Sequence, residues 1–536
     1  MSPARSPVSV ADRFRGERIL LTGATGFLAK SILEKIVRAI PDVAQIYLLV
    51  RPHQRTSAAE RVKRDVLRSS VFDRLRAMHD GQFCHVIDAK ICPIAGDLSQ
   101  DRLGLSEDVY ADLAQQVTCI INSAAVCEFG EQLDRALQVN TLGPRRILQL
   151  AKDAGNIPVL HVSTCYVNGV REGEISEDVL PLGHTVATFT AGSPPVFDLD
   201  VEIASMLDQC AATRMTVAAG DRDSELFARR NGSTPTAERI AQARPHLANT
   251  LVVELGSRLA RSHGWTDTYT FSKSLGEQLL IRDRAEVPLA IMRPSIIEST
   301  YTEPVPGWIE GLRMGDPLII AMGKGNLPEF VGRDDNILDL IPCDMVTNAI
   351  LAAVPPPEAS HHCMIYQVAS STRNPLTHRT LNTAVHDALH AHPLFERDGQ
   401  PIRPKPVRII PVEKFERKLE WKRRWLILLR AVYARIGLEH RERWVTLRIR
   451  AIRRLREFFA HYGFYASHSP RFLSNNAEVL FDTLSAEDKA AFPFDVTCID
   501  WSEYFVQRHV PGLRRMIMSR RDRQREDAPQ PELSTR

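Results

Sequence analysis

Long hydrophobic runs are absent from this 536-residue sequence, and no stretch approaches the roughly 18 uncharged apolar residues of a membrane-spanning helix. Its nine cysteines are scattered with no C-x-x-C pair, so they indicate neither a disulfide framework nor a zinc site. Met1 to Arg15 is polar and has no apolar stretch of signal-peptide length. These absences lead to the expectation of a reduced, cytosolic enzyme or binding protein without a bound metal. Net charge is also scarce, at +3, which removes any global electrostatic case for nucleic acid. The balance is uneven, however. Glu413 to Glu457 holds 15 Lys/Arg against 6 Asp/Glu, a local +9 that leaves the rest of the chain near −6. No internal repeat is visible.

The length allows two or three domains, each large enough to bury a core. Arg18–Thr22, Gln45–Val50, Ile91–Ala95, Val117–Asn122, Pro158–Ser163 and Pro288–Met292 are short apolar runs that read as strands. Helical periodicity lies between them, over Gly26–Ala39, Ser57–Arg68, Gln132–Asp153 and Phe271–Arg284. Continuous apolar strands alternating with helices imply an α/β fold whose parallel sheet is covered on both faces. A polar, helical insertion interrupts the pattern from about Leu180 to Trp265, with Gly/Ser/Pro-rich stretches at Ala191–Pro195 and Asn231–Pro235. Met364–Ser370 is expected to complete the first domain. Beyond it the chain reads as mainly helical to about Val510, with a disordered tail over Arg520–Arg536.

The first strand runs into Thr22-Gly23-Ala24-Thr25-Gly26-Phe27-Leu28-Ala29. Gly23 permits a tight turn, Gly26 lets backbone amides approach a pyrophosphate, and small Ala29 lets the helix pack on the strand. The helix N-terminus then offers free N–H groups and a positive dipole end to phosphates. A bare Gly-x-x-Gly is common in ordinary turns, and its position between strand and helix is what points to a dinucleotide. The second strand ends in Val50-Arg51 with no carboxylate, and Arg61 and Arg64 follow on the next helix. A guanidinium fork suits a 2′-phosphate, so NADPH is favoured over NADH, although a solvated arginine at a strand end is the simpler alternative. Asp97 and Leu98 after the third strand can meet the adenine. Asn122 and Ala124 after the fourth can line the dinucleotide.

Tyr269-Thr270-Phe271-Ser272-Lys273 places a phenol and an ammonium one helical turn apart. A nearby ammonium favours the phenolate, so the tyrosine is expected to trade a proton near neutral pH while the lysine holds the nicotinamide ribose. Most Tyr-x-x-x-Lys pairs are surface helix pairs, but this one sits on the helix that should border the cofactor. Ser163-Thr164 closes the fifth strand, where open α/β sheets bind ligands. Thr164, with Ser163 as second choice, is the hydroxyl expected on a substrate carbonyl. Asn140 is open to two roles, a proton relay to Lys273 or helix-interior packing.

Together these motifs resemble the extended short-chain dehydrogenase/reductases and, more narrowly, the alcohol-forming fatty acyl-CoA reductases. Ile19–Lys35, Ile46–Arg51, His161–Asn168, Asp267–Lys273, Met292–Ile297, Pro306–Gly311, Leu340–Val346 and Phe492–Tyr504 carry the likeness, which covers about residues 14–510. It departs from the pattern at Ala29, where a third glycine is usual, and in the length of the insertion. The resemblance implies a Rossmann-type doubly wound sheet over 14–375, a helical C-terminal domain over 376–510, a flexible start (1–13) and a basic tail (511–536). It implies Thr164, Tyr269 and Lys273 as catalytic residues. It places Gly23, Thr25, Gly26, Phe27, Leu28, Arg51, Asp97 and Asn122 at the cofactor, with Pro294, Ile296 and Ile297 near the nicotinamide. The implied reaction is NADPH-dependent reduction of long-chain acyl-CoA through an aldehyde to a primary alcohol. A reductase stopping at aldehyde, one taking a carrier-bound thioester, and a non-catalytic NADPH sensor are the alternatives. Trp308, Ile309 and Leu312 are candidates for an acyl tunnel. The basic stretch 422–456 suits either helix packing or an anionic membrane surface.

Overall fold

The computed structural model describes residues 9–53, 56–220, 236–312, 314–359, 363–396 and 398–517, leaving aside the side chains of 454 and 457–462. The chain forms two units. The first comprises residues up to 295, 346–372 and 470–495, and the second 296–345, 373–469 and 496 onward.

Seven parallel strands make the sheet of the first unit: β1 (Arg18–Thr22), β2 (Gln45–Val50), β3 (Ile91–Ala95), β4 (Cys119–Asn122), β5 (Val159–Val162), β6 (Leu289–Pro294) and β7 (Cys363–Val368). Their order is β7-β6-β5-β4-β1-β2-β3, with every neighbouring pair parallel. Strands buried on both faces have no polar side to alternate with, which is why they read as continuous apolar runs. The order reverses direction between β1 and β4, and ligands bind at such a switch point, beyond the carboxyl ends of the strands.

Helix α1 (Phe27–Ala39) starts at the glycine turn, and α2 (Leu142–Asp153) lies between β4 and β5 in sequence. Among its described residues the insertion includes two long helices, α3 (Leu199–Ala219) and α4 (Ala237–Ser262). It is less polar in place than its composition suggests. Ile203, Met206 and Cys210 of α3 and Val252 and Leu255 of α4 share one core with Phe271, Leu275 and Leu279 of α5 (Thr268–Asp283). The expected stretch Asn231–Pro235 lies outside the described residues, and so does the tail from 518.

The expected boundaries need revision, because residues 296–345 belong to the second unit and residues 470–495 return to the first. Residues 363–368 must pair with β6 to complete the sheet. Residues 470–495 then close over it: Asn476 Nδ2 donates to Ile365 O at 2.8 Å, and Lys35 Nζ donates to Ala491 O at 2.5 Å. The start is tied down from residue 9, since Val10 N–H bonds the Asp488 carboxylate at 3.1 Å and Val10–Arg13 is helical. Residues 511–517 belong to a helix rather than to a loose tail.

The second unit holds two small parallel pairs, 296–298 with 340–342 and 329–331 with 408–410. Its main helices are α6 (Asp316–Gly323), α7 (His378–Ala391), α8 (Val412–Arg435) and α9 (Glu439–Ser467). Helices α8 and α9 form a hairpin whose core includes Phe415, Leu419 and Leu426 against Val445 and Ile452.

One buried ion pair anchors α5 to the sheet. Arg293 of β6 grips Glu277 through Nε at 3.0 Å and Nη2 at 2.5 Å, and both side chains are 3% exposed. Removing one partner leaves a buried charge uncompensated. Glu277→Gln is therefore expected to lose about 3–5 kcal/mol in urea unfolding, and unfolding indistinguishable from wild type would contradict that role.

Candidate active site

The glycine turn is set by a close approach of backbone. Gly23 sits at φ +75°, and a Cβ there would fall 2.8 Å from Ala124 N and 2.9 Å from Ser123 C. Gly26 N–H bonds Gly23 O at 2.7 Å, and Gly26 caps α1 in extended conformation. Thr25 and Gly26 are exposed, while Phe27 and Leu28 open the helix in buried positions. The turn therefore presents backbone N–H groups at a helix N-terminus, as phosphate binding requires.

Below it runs a polar ladder across three adjacent strand ends, where Thr22, Asn122 and His161 are register partners in series. Ala124 N–H donates to Thr22 Oγ1 (3.0 Å), Thr22 Oγ1–H to Asn122 Oδ1 (2.6 Å), and Asn122 Nδ2 to His161 Nδ1 (3.0 Å). The Asn122 amide is thus committed to the sheet, and any part it takes at a cofactor falls to its backbone. Sequence reasoning missed His161, which reads as one more strand residue. Burial first, and then the Lys273 charge, holds its imidazole well below its usual range, so it stays neutral.

Arg51, Arg61 and Arg64 wall an open cavity with Gly96, Asp97, Gln100 and Gly104. Arg61 donates to Arg51 O at 2.5 Å, and Asp65 pairs with both Arg61 (3.1 Å) and Arg64 (2.6 Å). Those pairings hold the Asp65 carboxyl down at about 2, the Arg64 hydrogen bond being the largest cause. Asp97 accepts from Ser99 N (2.9 Å) and Oγ (2.8 Å), which shapes the loop. Leu98 is buried in the core, where a Cβ at Gly143 of α2 would lie 2.8 Å from its Cγ. Its side chain therefore does not face the cavity as expected. Turn, helix N-terminus and cationic cavity together fit a phosphorylated dinucleotide.

Helix α5 brings the catalytic candidates together. Asp267 caps it by accepting from Thr270 N at 2.8 Å. Gly276 packs so closely that a Cβ would meet Asn140 O at 2.3 Å, on the π-helical turn Leu137–Thr141. Thr141 Oγ1 donates to Ser272 O at 2.7 Å. Asn140 accepts from Val126 N (2.9 Å) and donates to Val126 O (2.9 Å) and Ser272 Oγ (3.1 Å). Asn140 thus ties the loop after β4 to α5.

Lys273 is buried, and its Nζ donates to Val162 O, the end of β5, at 2.7 Å. Burial brings its ammonium down to about 8, against the opposing pull of Cys127 and Glu277. Tyr269 is half-buried, deep in the molecule with part of its surface accessible. Its phenol lies beside the side chains of Thr164 and Cys127, and its ring meets Phe129 edge-on at 6.2 Å. The expectation that Lys273 lowers this phenol needs correction. The ammonium is spent on a carbonyl, and burial with Cys127 drives the phenol well above its usual range, Thr164 alone pulling it down. Tyr269 therefore keeps its proton. Ser163, the second choice, has a buried Oγ with no hydrogen-bond partner among the described residues. Pro294 ends β6, whereas Ile296 and Ile297 belong to the second unit.

This geometry is that of a nicotinamide-dependent reductase, and the comparisons agree. The male sterility protein family matches residues 21–350, with a second segment of that description at 430–520. Fatty acyl-CoA reductase 2, chloroplastic, of Arabidopsis thaliana is 34% identical over 95% of this chain and 79% of its own. The alcohol-forming fatty acyl-CoA reductase of Simmondsia chinensis is 28% identical over 95% and 99%. The terminal R domain of the myxalamid PKS-NRPS pathway shares the fold at TM-score 0.53 and 17% identity, covering 93% of this chain and 90% of its own. The chain belongs to the male sterility, or fatty acyl-CoA reductase, family.

Two outcomes follow from the cluster. Replacing the acid, Tyr269→Phe, should lower kcat at least about 100-fold, and a near-normal rate would remove Tyr269 from the chemistry. Lys273 carries its proton below its lowered value and loses it above. The kcat/KM profile, which reports the free enzyme, should therefore fall as pH rises through about 8. A flat profile to pH 10 would contradict this.

Proposed function

We propose that this chain reduces long-chain fatty acyl-CoA to the primary alcohol, consuming two NADPH and releasing CoA. The observation that carries the reading is the Thr164–Tyr269–Lys273 cluster at the carboxyl end of β5, on a sheet with a dinucleotide-type turn. The nicotinamide, when bound, supplies hydride to the carbonyl carbon. Thr164 and Tyr269 hydrogen-bond the carbonyl oxygen and stabilise the negative charge that develops there. Tyr269 passes its proton to that oxygen, giving a hemithioacetal. Collapse breaks the C–S bond, and the proton returned by the hydroxyl leaves with the CoA thiol. The aldehyde carbonyl then occupies the same two hydroxyls and accepts a second hydride and proton. Two hydrides and two protons enter per thioester. Lys273, fixed to the Val162 carbonyl, keeps positive charge near the phenol as its proton departs.

The choice of NADPH rests on the three arginines, whose positive charge exceeds what Asp65 and Asp97 neutralise. Charge-assisted bonds to a 2′-phosphate contribute roughly 1.5–3 kcal/mol each. Arg64→Ala should then raise the KM for NADPH about tenfold or more and leave that for NADH unchanged. Equal effects on both cofactors would remove the phosphate from this cavity.

The acyl chain is assigned to an apolar cavity of about 100 Å³ in the second unit. Ile296, Leu318 and Met322 of α6, and Leu381 and Val385 of α7, line it. Trp308 and Ile309 are buried away from its lining, and Leu312 is exposed, so none of the three expected tunnel residues serves there. Its polar lining includes Glu298, His378, Asn382 and His509, with His509 3.1 Å from Ser299 Oγ and 3.2 Å from Asp316. Filling the cavity with Val385→Trp should depress kcat/KM on palmitoyl-CoA at least tenfold relative to octanoyl-CoA. An unchanged ratio would place the chain elsewhere.

A further inference from the structure

We infer that the α8–α9 hairpin docks on the surface of an anionic phospholipid bilayer. Phe415, Leu419 and Leu426 use one stripe of α8 to pack on α9. A second apolar stripe on the same helix is left over. Trp421 is 71% exposed, and Trp425, Leu428 and Val432 are exposed with it. At 3.6 residues per turn these four positions fall within an arc of about 60°, roughly 130° around the helix from the packed stripe. The turn continues the pattern with exposed Ile436 and Leu438, and α9 continues it with Trp444 and Leu447. Single exposed apolar residues are normal on a protein surface, but a run of eight along one hairpin is not.

Its setting selects the partner. Arg417, Arg424 and Arg435 border the exposed stripe of α8. On α9, Arg448 lies 5.1 Å over the Trp444 ring, and Arg441 lies 5.9 Å over Tyr433 of α8. Tryptophan and leucine beside arginine is the composition of a helix lying in the headgroup region, its rings in the acyl boundary and its guanidinium groups among phosphates. The local charge of +9 attracts an anionic leaflet and repels a second copy of the same surface. Among the described residues no helix is long and apolar enough to cross a bilayer, so the contact is one of lying on the membrane. This inference stands independently of the reductase reading.

Co-sedimentation of the full-length protein with vesicles tests it. Wild type should pellet with phosphatidylcholine vesicles containing phosphatidylserine, and bind phosphatidylcholine alone, or either kind in high salt, more weakly. The double change Trp421→Glu/Leu428→Glu should reduce partitioning at least tenfold. Its melting curve and its rate on octanoyl-CoA in solution should stay at wild-type values, since both side chains face outward. Arg448→Ala should weaken binding about fivefold, the contribution of one basic residue near a charged leaflet. Wild type that stays in the supernatant at low salt would overturn the inference, as would a double variant that binds as well as wild type. Sedimentation equilibrium supplies a further refutation: a wild-type dimer lost in the double variant, with no vesicle binding by either, would make the surface a contact between copies.

Discussion

A single hydrogen bond, from the buried Lys273 ammonium to the carbonyl that ends β5, ties the helix bearing the proposed catalytic pair to the sheet. It joins the catalytic helix to the strand whose next residues are Ser163 and Thr164, so phenol, threonine hydroxyl and strand end share one origin. The same helix is fixed on its other sides by Gly276 against Asn140 O, Thr141 on Ser272 O, and Glu277 in the grip of Arg293. Every one of these contacts is buried, and interiors transmit displacement rather than absorb it. A shift of α5 would therefore move the acid with respect to Thr164, and misplacement on the order of 1 Å costs about 100-fold in rate.

Burial also decides the protonation states. A phenol deep in the molecule resists ionising, and an ammonium there is poised to lose its proton. Both directions suit a reductase, which needs its acid loaded before hydride arrives and charge close by afterwards. The neighbouring His161 stays neutral for the same reason, leaving its Nδ1 to accept from Asn122. The ladder Thr22–Asn122–His161 then braces the strand ends on which the cofactor's turn and the Thr164 hydroxyl both rest.

The sheet was readable in the sequence because its strands are apolar on both faces, and β1, β2 and β3 begin and end where their hydrophobic runs do. The glycine turn and the Tyr-x-x-x-Lys pair were readable because each is local. What escaped depends on contacts distant in sequence. Glu277 and Arg293 look like ordinary surface charges until a helix and a strand meet. Cys127 sits in a polar loop with nothing to connect it to Tyr269. Leu98, beside a loop aspartate, gives no local sign that Gly143 leaves room for it in the core. The two units interleave along the chain, so a single boundary near residue 375 had no way to capture the return of residues 470–495.

In the proposed reaction one set of hydroxyls, Thr164 and Tyr269, serves two successive hydride deliveries to the same carbon. Mass spectrometry of the alcohol made from palmitoyl-CoA with NADPH deuterated at the transferable position measures this directly. Two deuterons on the carbinol carbon, with one CoA thiol released per alcohol, is the result the account requires. A product that carries one deuteron, or a reaction that ends at the aldehyde, would contradict it.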